Sequence, residues 1–160
     1  MAVIDIGTPV VADGGRWAAN NTAMVTAIPA DGTGILESVD IRFNTNGSGS
    51  KVGTFFANTT KYDCRDAVSI GAVTAGSTQT FSGLSIDVVI GDLLGEVHSG
   101  GDIARDGGGG ADDIKYLAGD YVTIGSSETY ALISSQDIKI RGTGITVAAA
   151  GAPNQAVIIA

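Results

Sequence analysis

Apolar and polar residues alternate with a period of two over much of this chain, the pattern of strands with one face buried. Val39, Ile41 and Phe43 alternate with Ser38, Asp40 and Arg42, four residues after Ile35. Gln136-Asp137-Ile138-Lys139-Ile140-Arg141 repeats the pattern, and Ser85-Ile86-Asp87-Val88 does so before the apolar pair Val89-Ile90. Residues 22–28 and 51–57 are rich in the β-branched and aromatic side chains that suit a pleated, half-buried surface. No window of ten or more residues carries a helical stripe.

Turn signals separate these runs: Asp13-Gly14-Gly15, Asp31-Gly32, Asn46-Gly47, Ala75-Gly76-Ser77, Gly91-Asp92, Ser99-Gly100-Gly101 and Gly119-Asp120. Many short strands between such turns predict an all-β domain, a single antiparallel β-sandwich of jelly-roll type with two sheets packed face to face. No repeat of fixed period points to a solenoid or propeller. No linker divides the chain. One low-complexity stretch, residues 106–113, reads as a surface loop, free or held by a ligand.

Composition narrows the function classes. Among 160 residues, 24 are Gly, 44% are hydrophobic and 16% are charged, with a formal net charge of −8. The apolar content argues against wholesale disorder. With 3 Pro and no three-residue Gly period, collagen is excluded. The negative charge, with no Lys/Arg cluster to offset it, disfavours nucleic acid as a partner. No run of about 18 apolar residues predicts a transmembrane helix. The first residues lack the basic and apolar regions of a signal peptide, so synthesis in a cytoplasm is expected.

Candidate chemistry is thin. Cys64 has no second cysteine to pair with, and reads as an ordinary strand thiol. His98 is the single imidazole; its neighbour Ser99 points to the opposite strand face, so a nucleophilic triad is not expected. One His and one Cys do not make a zinc site. Glu96 and the Asp92 loop could supply an acid and a base in a glycosidase-like cleft, but no spacing singles them out. Asp102, Asp106, Asp112 and Asp113 flank the glycine run and offer hard oxygen ligands for Ca²⁺, without the pattern of an EF-hand. The competing reading is a solvated acidic loop; 14 Asp against 3 Glu fits the use of Asp in turns. Carbohydrate binding would use exposed aromatics. Trp17, beside the turn at 13–15, is the leading candidate, with Tyr62, Tyr116 and Tyr121 behind it.

The end of the chain stands apart. Arg141 is the last charged side chain, and residues 145–160 carry none. Such a composition asks for burial. The segment either closes the domain's own sheet or leaves it, broken at Pro153, to add to the sheet edge of a neighbouring subunit through Ile145, Val147, Val157, Ile158 and Ile159.

The run Ser69-Ile70-Gly71-Ala72-Val73-Thr74-Ala75-Gly76-Ser77-Thr78-Gln79-Thr80-Phe81-Ser82-Gly83-Leu84-Ser85-Ile86-Asp87-Val88-Val89-Ile90-Gly91-Asp92-Leu93-Leu94-Gly95 resembles modules of bacteriophage, prophage and environmental virus structural proteins. Residues 52–56, 99–103, 117–120 and 140–144 fit the same pattern, so the resemblance runs from Ile4 to Gly144. It implies a β-sandwich on a virion or similar assembly and carries over no catalytic residues. A domain over 1–144 with an arm or closing strand over 145–160 follows. The expected function is a non-enzymatic structural subunit of a phage-like virion or extracellular filament: capsid decoration, tail, fibre or sheath. Its partners would be itself and other subunits of the particle, with no required cofactor, no nucleic acid and no membrane. The alternative is a carbohydrate-binding module or adhesin that uses loop aromatics, with Ca²⁺ as its candidate ion.

Overall fold

A computed structural model of the chain describes residues 1–106 and 112–147. Among the described residues there are twelve strands and no helix: β1 (Val3–Gly7), β2 (Gly15–Ala18), β3 (Asn21–Val25), β4 (Gly34–Asn58), β5 (Lys61–Val73), β6 (Thr78–Val88), β7 (Leu93–Val97), β8 (Gly100–Arg105), β9 (Asp113–Ala118), β10 (Ser127–Glu128), β11 (Ala131–Ser134) and β12 (Ile140–Thr146). Every ladder between them is antiparallel. The chain is therefore all-β, as its alternation predicts.

All twelve strands belong to one sheet, whose main path runs β1-β12-β4-β7-β3-β9-β11. The organising element is β4. Its 25 residues far exceed the usual strand of about 5–6. Its first part, from Gly34 to Arg42, lies between β12 and β6. Its last part, from Lys51 to Asn58, pairs with β5 on one side and β7 on the other. Between them, Phe43, Thr45 and Ser48 pair with β8 through successive register shifts.

Asn46-Gly47, a predicted turn, lies in this middle stretch inside β4. The chain bends there without leaving the sheet. Gly49 takes a φ of +59°, and β-bulges interrupt pairing with both β8 and β5. Gly47 also lies under the Phe43 ring, where a β-carbon would overlap Cε1. An Asn-Gly pair breaks regular pairing; whether the break becomes a reversal or a bend depends on the partner strand, here β8.

Because β4 bends, both parts of the sheet contribute to one core. Ile4, Ile6, Leu36, Val39, Ile41, Ile86 and Ile140 from the β1-β12-β4-β6 part pack with Val25, Leu94 and Ile114 of β3, β7 and β9 and with Val52 from the last part of β4. The alternating runs supply this core as predicted: Val39, Ile41, Phe43, Ile86, Ile138 and Ile140 are all fully buried. A smaller cluster of Met24, Phe55, Cys64, Leu93, Val97 and Val122 lies on the opposite face of β7.

Close backbone approach fixes the seam between β12 and β4. A β-carbon on Gly144 would collide with the Ile35 carbonyl, and one on Gly34 with the Ile145 carbonyl. Gly144→Ala should destabilise the fold by about 1–3 kcal/mol, the usual cost of forcing extra atoms into a packed site. Gly14→Ala, where a β-carbon meets nothing within 4 Å, should stay within about 0.5 kcal/mol of wild type. Urea denaturation of the two variants checks both, and equal midpoints would contradict the seam.

Candidate functional site

The sheet's β1 end gathers exposed apolar side chains. β1 pairs with β12 from Val3↔Ile145 to Gly7↔Arg141. The Arg141 guanidinium donates from Nε and Nη2 to the two Asp5 oxygens at 2.7 and 2.6 Å. The outer edge of β1 is covered in its second half: Gly7 donates its N–H to the Ile28 carbonyl and Asp5 to the Asp31 side chain, both at 2.8 Å. What stays open lies ahead of Asp5, where Met1 is 97% and Val3 71% exposed.

Thr33 brings two more apolar residues to this end. Its Oγ1 accepts the Ile90 N–H at 3.0 Å and its carbonyl accepts the Val147 N–H at 3.3 Å. Ile90 is 65% and Val147 52% exposed. Ala2, between Met1 and Val3, exchanges hydrogen bonds with Thr146. Met1, Val3, Ile90 and Val147 are thus gathered where β12 ends.

Ile145 and Thr146 are the last residues of β12, paired with both β1 and β4. A boundary drawn after Gly144 falls inside this strand, so the charge-free segment begins as a closing strand of the domain's own sheet. Val157, Ile158 and Ile159 lie outside the described residues.

A second feature is a cavity of ≈ 330 Å³ between the β2-β8 ribbon and the β3-β9-β11 part of the sheet. Arg16, Trp17, Asn21, Arg105, Tyr116 and Ile133 line it. Trp17 is not the exposed turn residue the sequence suggests. It lies in β2 opposite Ile103 and is buried, because strand alternation turns it inward while Arg16 and Ala18 face out. Its ring meets that of Tyr116 edge-on, with centroids 5.4 Å apart and planes at 80°. Tyr121 is elsewhere: its ring covers Gly119 and its N–H donates to Thr22 Oγ1 at 2.9 Å. Tyr62 packs against Tyr130, under the Lys115 ammonium. Two of the four candidate aromatics therefore meet.

Of the four candidate aspartates, Asp102 lies in β8, Asp113 opens β9, and Asp106 and Asp112 lie outside the strands. Asp102 accepts from Thr45 Oγ1 at 3.2 Å and lies 3.5 Å from the Arg16 guanidinium. Asp113 Oδ1 accepts the Ser135 N–H at 3.1 Å. Asp106 donates its N–H to the Asp137 carbonyl, and the Asp112 carbonyl accepts the Gln136 N–H. Among the described residues, no three His, Cys, Asp or Glu are grouped to hold a metal ion.

Sequence reasoning missed Asp137 and Lys139, which alternation assigns to a solvent face. Both are buried, with the Lys139 amine 2.7 Å from the Asp137 carboxylate. Lys139 is held there by its N–H, which donates to the Ala104 carbonyl. Burial pushes the Asp137 carboxyl pKa up, Lys139 opposes it, and the charges of Asp106 and Asp112 add to the rise.

Glu96 is fully buried rather than set in an open cleft, and His98, also buried, borders a small cavity of ≈ 140 Å³ with Asn20, Gly49 and Asp120. Every residue of β7 is buried, since the strand runs between β4 and β3 with core on both faces. Leu94, Glu96 and His98 share the face toward the main core. His98 Nδ1 and Glu96 Oε2 are 2.9 Å apart, both side chains are fully buried, and the imidazole meets the Phe43 ring edge-on. Asp92 has its own partner, accepting from Arg65 Nε at 2.6 Å and Nη2 at 3.0 Å. Cys64 is a buried strand thiol, its pKa pushed up to about 11 chiefly by burial.

The Glu96–His98 pair retains protons. Burial raises the Glu96 pKa, with His98 opposing. Burial works against a charged His98, but the Glu96 hydrogen bond and charge, helped by the Gly101 backbone and Asp102, outweigh it, and its pKa is raised. A raised histidine pKa adds stability that is fully present below the ordinary value of 6.5 and is lost as pH rises through the folded value. Glu96, also raised, favours the folded state most when protonated, so its effect has the same sign. His98→Ala should cost about 3–5 kcal/mol at neutral pH by leaving a buried carboxylate without its partner. That deficit against wild type should shrink on acidification as Glu96 takes up a proton. Urea midpoints measured across pH check this, and a deficit independent of pH would contradict it.

No family model matches the chain, and no curated protein matches it.

Proposed function

We propose that the protein is a non-enzymatic assembly subunit whose β1 end receives the charge-free segment 148–160 of a neighbouring copy. The observation that carries this reading is the coincidence of two features at one place. Met1, Val3, Ile90 and Val147 expose apolar surface at that end. The thirteen residues after Val147 contain no charged side chain and include Val157, Ile158 and Ile159. Exposed apolar groups gathered on a surface mark sites of association. Thirteen extended residues reach at most roughly 45 Å, ample to cross to an adjacent subunit.

An arm that leaves one copy and docks on the next makes a heterologous contact, which closes into a ring or grows into a filament according to the rotation between copies. The particle setting, a phage-like virion or extracellular filament, rests on the resemblance between Ile4 and Gly144. A glycan-binding role is favoured by a different observation, the cavity beside Trp17.

Light scattering after size exclusion tests the assembly. The full chain should elute above its 16.0 kDa monomer mass, and a chain lacking 148–160 should not. That truncation leaves β12 and its pairing with β1 intact, which removal from residue 145 would not. Ile90→Lys combined with Val147→Lys should also give a monomer with an unchanged circular dichroism spectrum. A full chain that stays monomeric at every concentration, or a truncated chain of unchanged assembly mass, overturns the reading.

A further inference from the structure

The cavity between β2 and β9 has a lining that calls for a particular kind of ligand. Its volume of ≈ 330 Å³ is at the low end of small-molecule sites, about 300–1,000 Å³. It suits one ring rather than an extended chain. Two of the chain's nine cationic Lys and Arg side chains, Arg16 and Arg105, line it, in a protein of net charge −8. Among the described residues, no carboxylate lines it.

Two lining side chains hold buried donors that no acceptor among the described residues satisfies: Trp17 Nε1 and Arg105 Nε. Trp17 is only 5% exposed. Buried donors are nearly always paired, and leaving one unpaired costs about 1–3 kcal/mol. Arg16 differs. Its side chain is 63% exposed and its contact with Asp102 is long, at 3.5 Å, so it can turn to a bound anion at little cost.

The aromatic pair sets the ligand's shape. Trp17 and Tyr116 stand nearly perpendicular, so they form a corner rather than a slot for a flat ring between parallel faces. A corner accommodates a puckered ring that offers C–H groups to the aromatic surface. The Asn21 side chain also lines the cavity, its Nδ2 donating to the Ala18 and Ala19 carbonyls at 3.3 and 3.1 Å, and supplies a polar amide beside the ring. A dense polyanion is disfavoured by the overall charge. A single carboxylate on a hydroxylated ring meets every requirement.

We propose that this cavity binds an acidic monosaccharide unit, a uronic or sialic acid residue, with its carboxylate on Arg16 and Arg105 and its ring in the Trp17–Tyr116 corner. The site is independent of the assembly reading: it lies between β2, β8 and β9, and no residue of the β1 end lines it.

Trp17 is the only tryptophan in the chain, so its fluorescence reports this cavity without labelling. Glucuronic acid and N-acetylneuraminic acid should shift or quench the emission of the full chain in a saturable way. Glucose should bind about tenfold more weakly, the factor that one hydrogen bond to a charged group supplies. Arg16→Gln, at an exposed position, should keep the fold and reduce the preference for acid over neutral sugar. Arg105→Gln should abolish it, with circular dichroism confirming the fold. Equal response to acidic and neutral sugars overturns the acidic assignment. Absence of any saturable response to either acid overturns the site. An Arg16→Gln chain with undiminished preference for the acid removes that residue's role and contradicts the proposal as stated.

Discussion

The structure depends on the hydrogen bonding of one long, bent strand. β4 pairs with β5, β6, β7, β8 and β12, so nearly half of the sheet is attached directly to it. A strand that is flanked on both sides along most of its length must satisfy its backbone groups within the sheet. Its bend, at the bulges between Phe43 and Lys51, lets both parts of the sheet share one core.

Charge is scarce in this molecule, and much of it is used internally. Arg65–Asp92, Lys139–Asp137, Arg141–Asp5 and the Glu96–His98 pair each join segments within the sheet or fix a strand end. Asp92 is the clearest case. Besides meeting Arg65, it accepts the Val89 N–H at 2.9 Å and so holds the turn between β6 and β7. Arg65 in turn lies over the Phe56 ring, 4.5 Å from its centroid. Buried pairs such as Glu96–His98 and Lys139–Asp137 contribute little net stability but are costly to break; their effect here is to make specific strand arrangements hard to replace.

The strands with one dry face were legible in the sequence, because only there does burial follow alternation. Val39, Ile41 and Phe43, or Ile86 and Val88, are buried while their neighbours are not. The same rule failed where both faces are covered. Asp137 and Lys139 are buried opposite Ile138 and Ile140, and Glu96 and His98 opposite Leu93 and Val97; no local pattern distinguishes a polar residue in water from one buried with a partner. Trp17, expected to be exposed beside a turn, is buried, since the parity of a four-residue strand is set by its pairing with β8, not by the glycines before it. The meeting of Trp17 with Tyr116 spans about a hundred residues of sequence. Pairings of that separation leave no trace in composition or spacing.

The pairing of β1 with β12 has a consequence in time. Val3 meets Ile145, so the first strand waits for almost the whole chain before it finds its partner. Contacts of such separation carry the largest loop-closure cost and form late. Chains are made from the N-terminus at about 5–20 residues per second, so a nascent chain holds an unpaired β1 until β12 has emerged from the ribosome. The apolar end is therefore assembled late, when β12 pairs with β1 and brings Val147 beside Met1 and Val3.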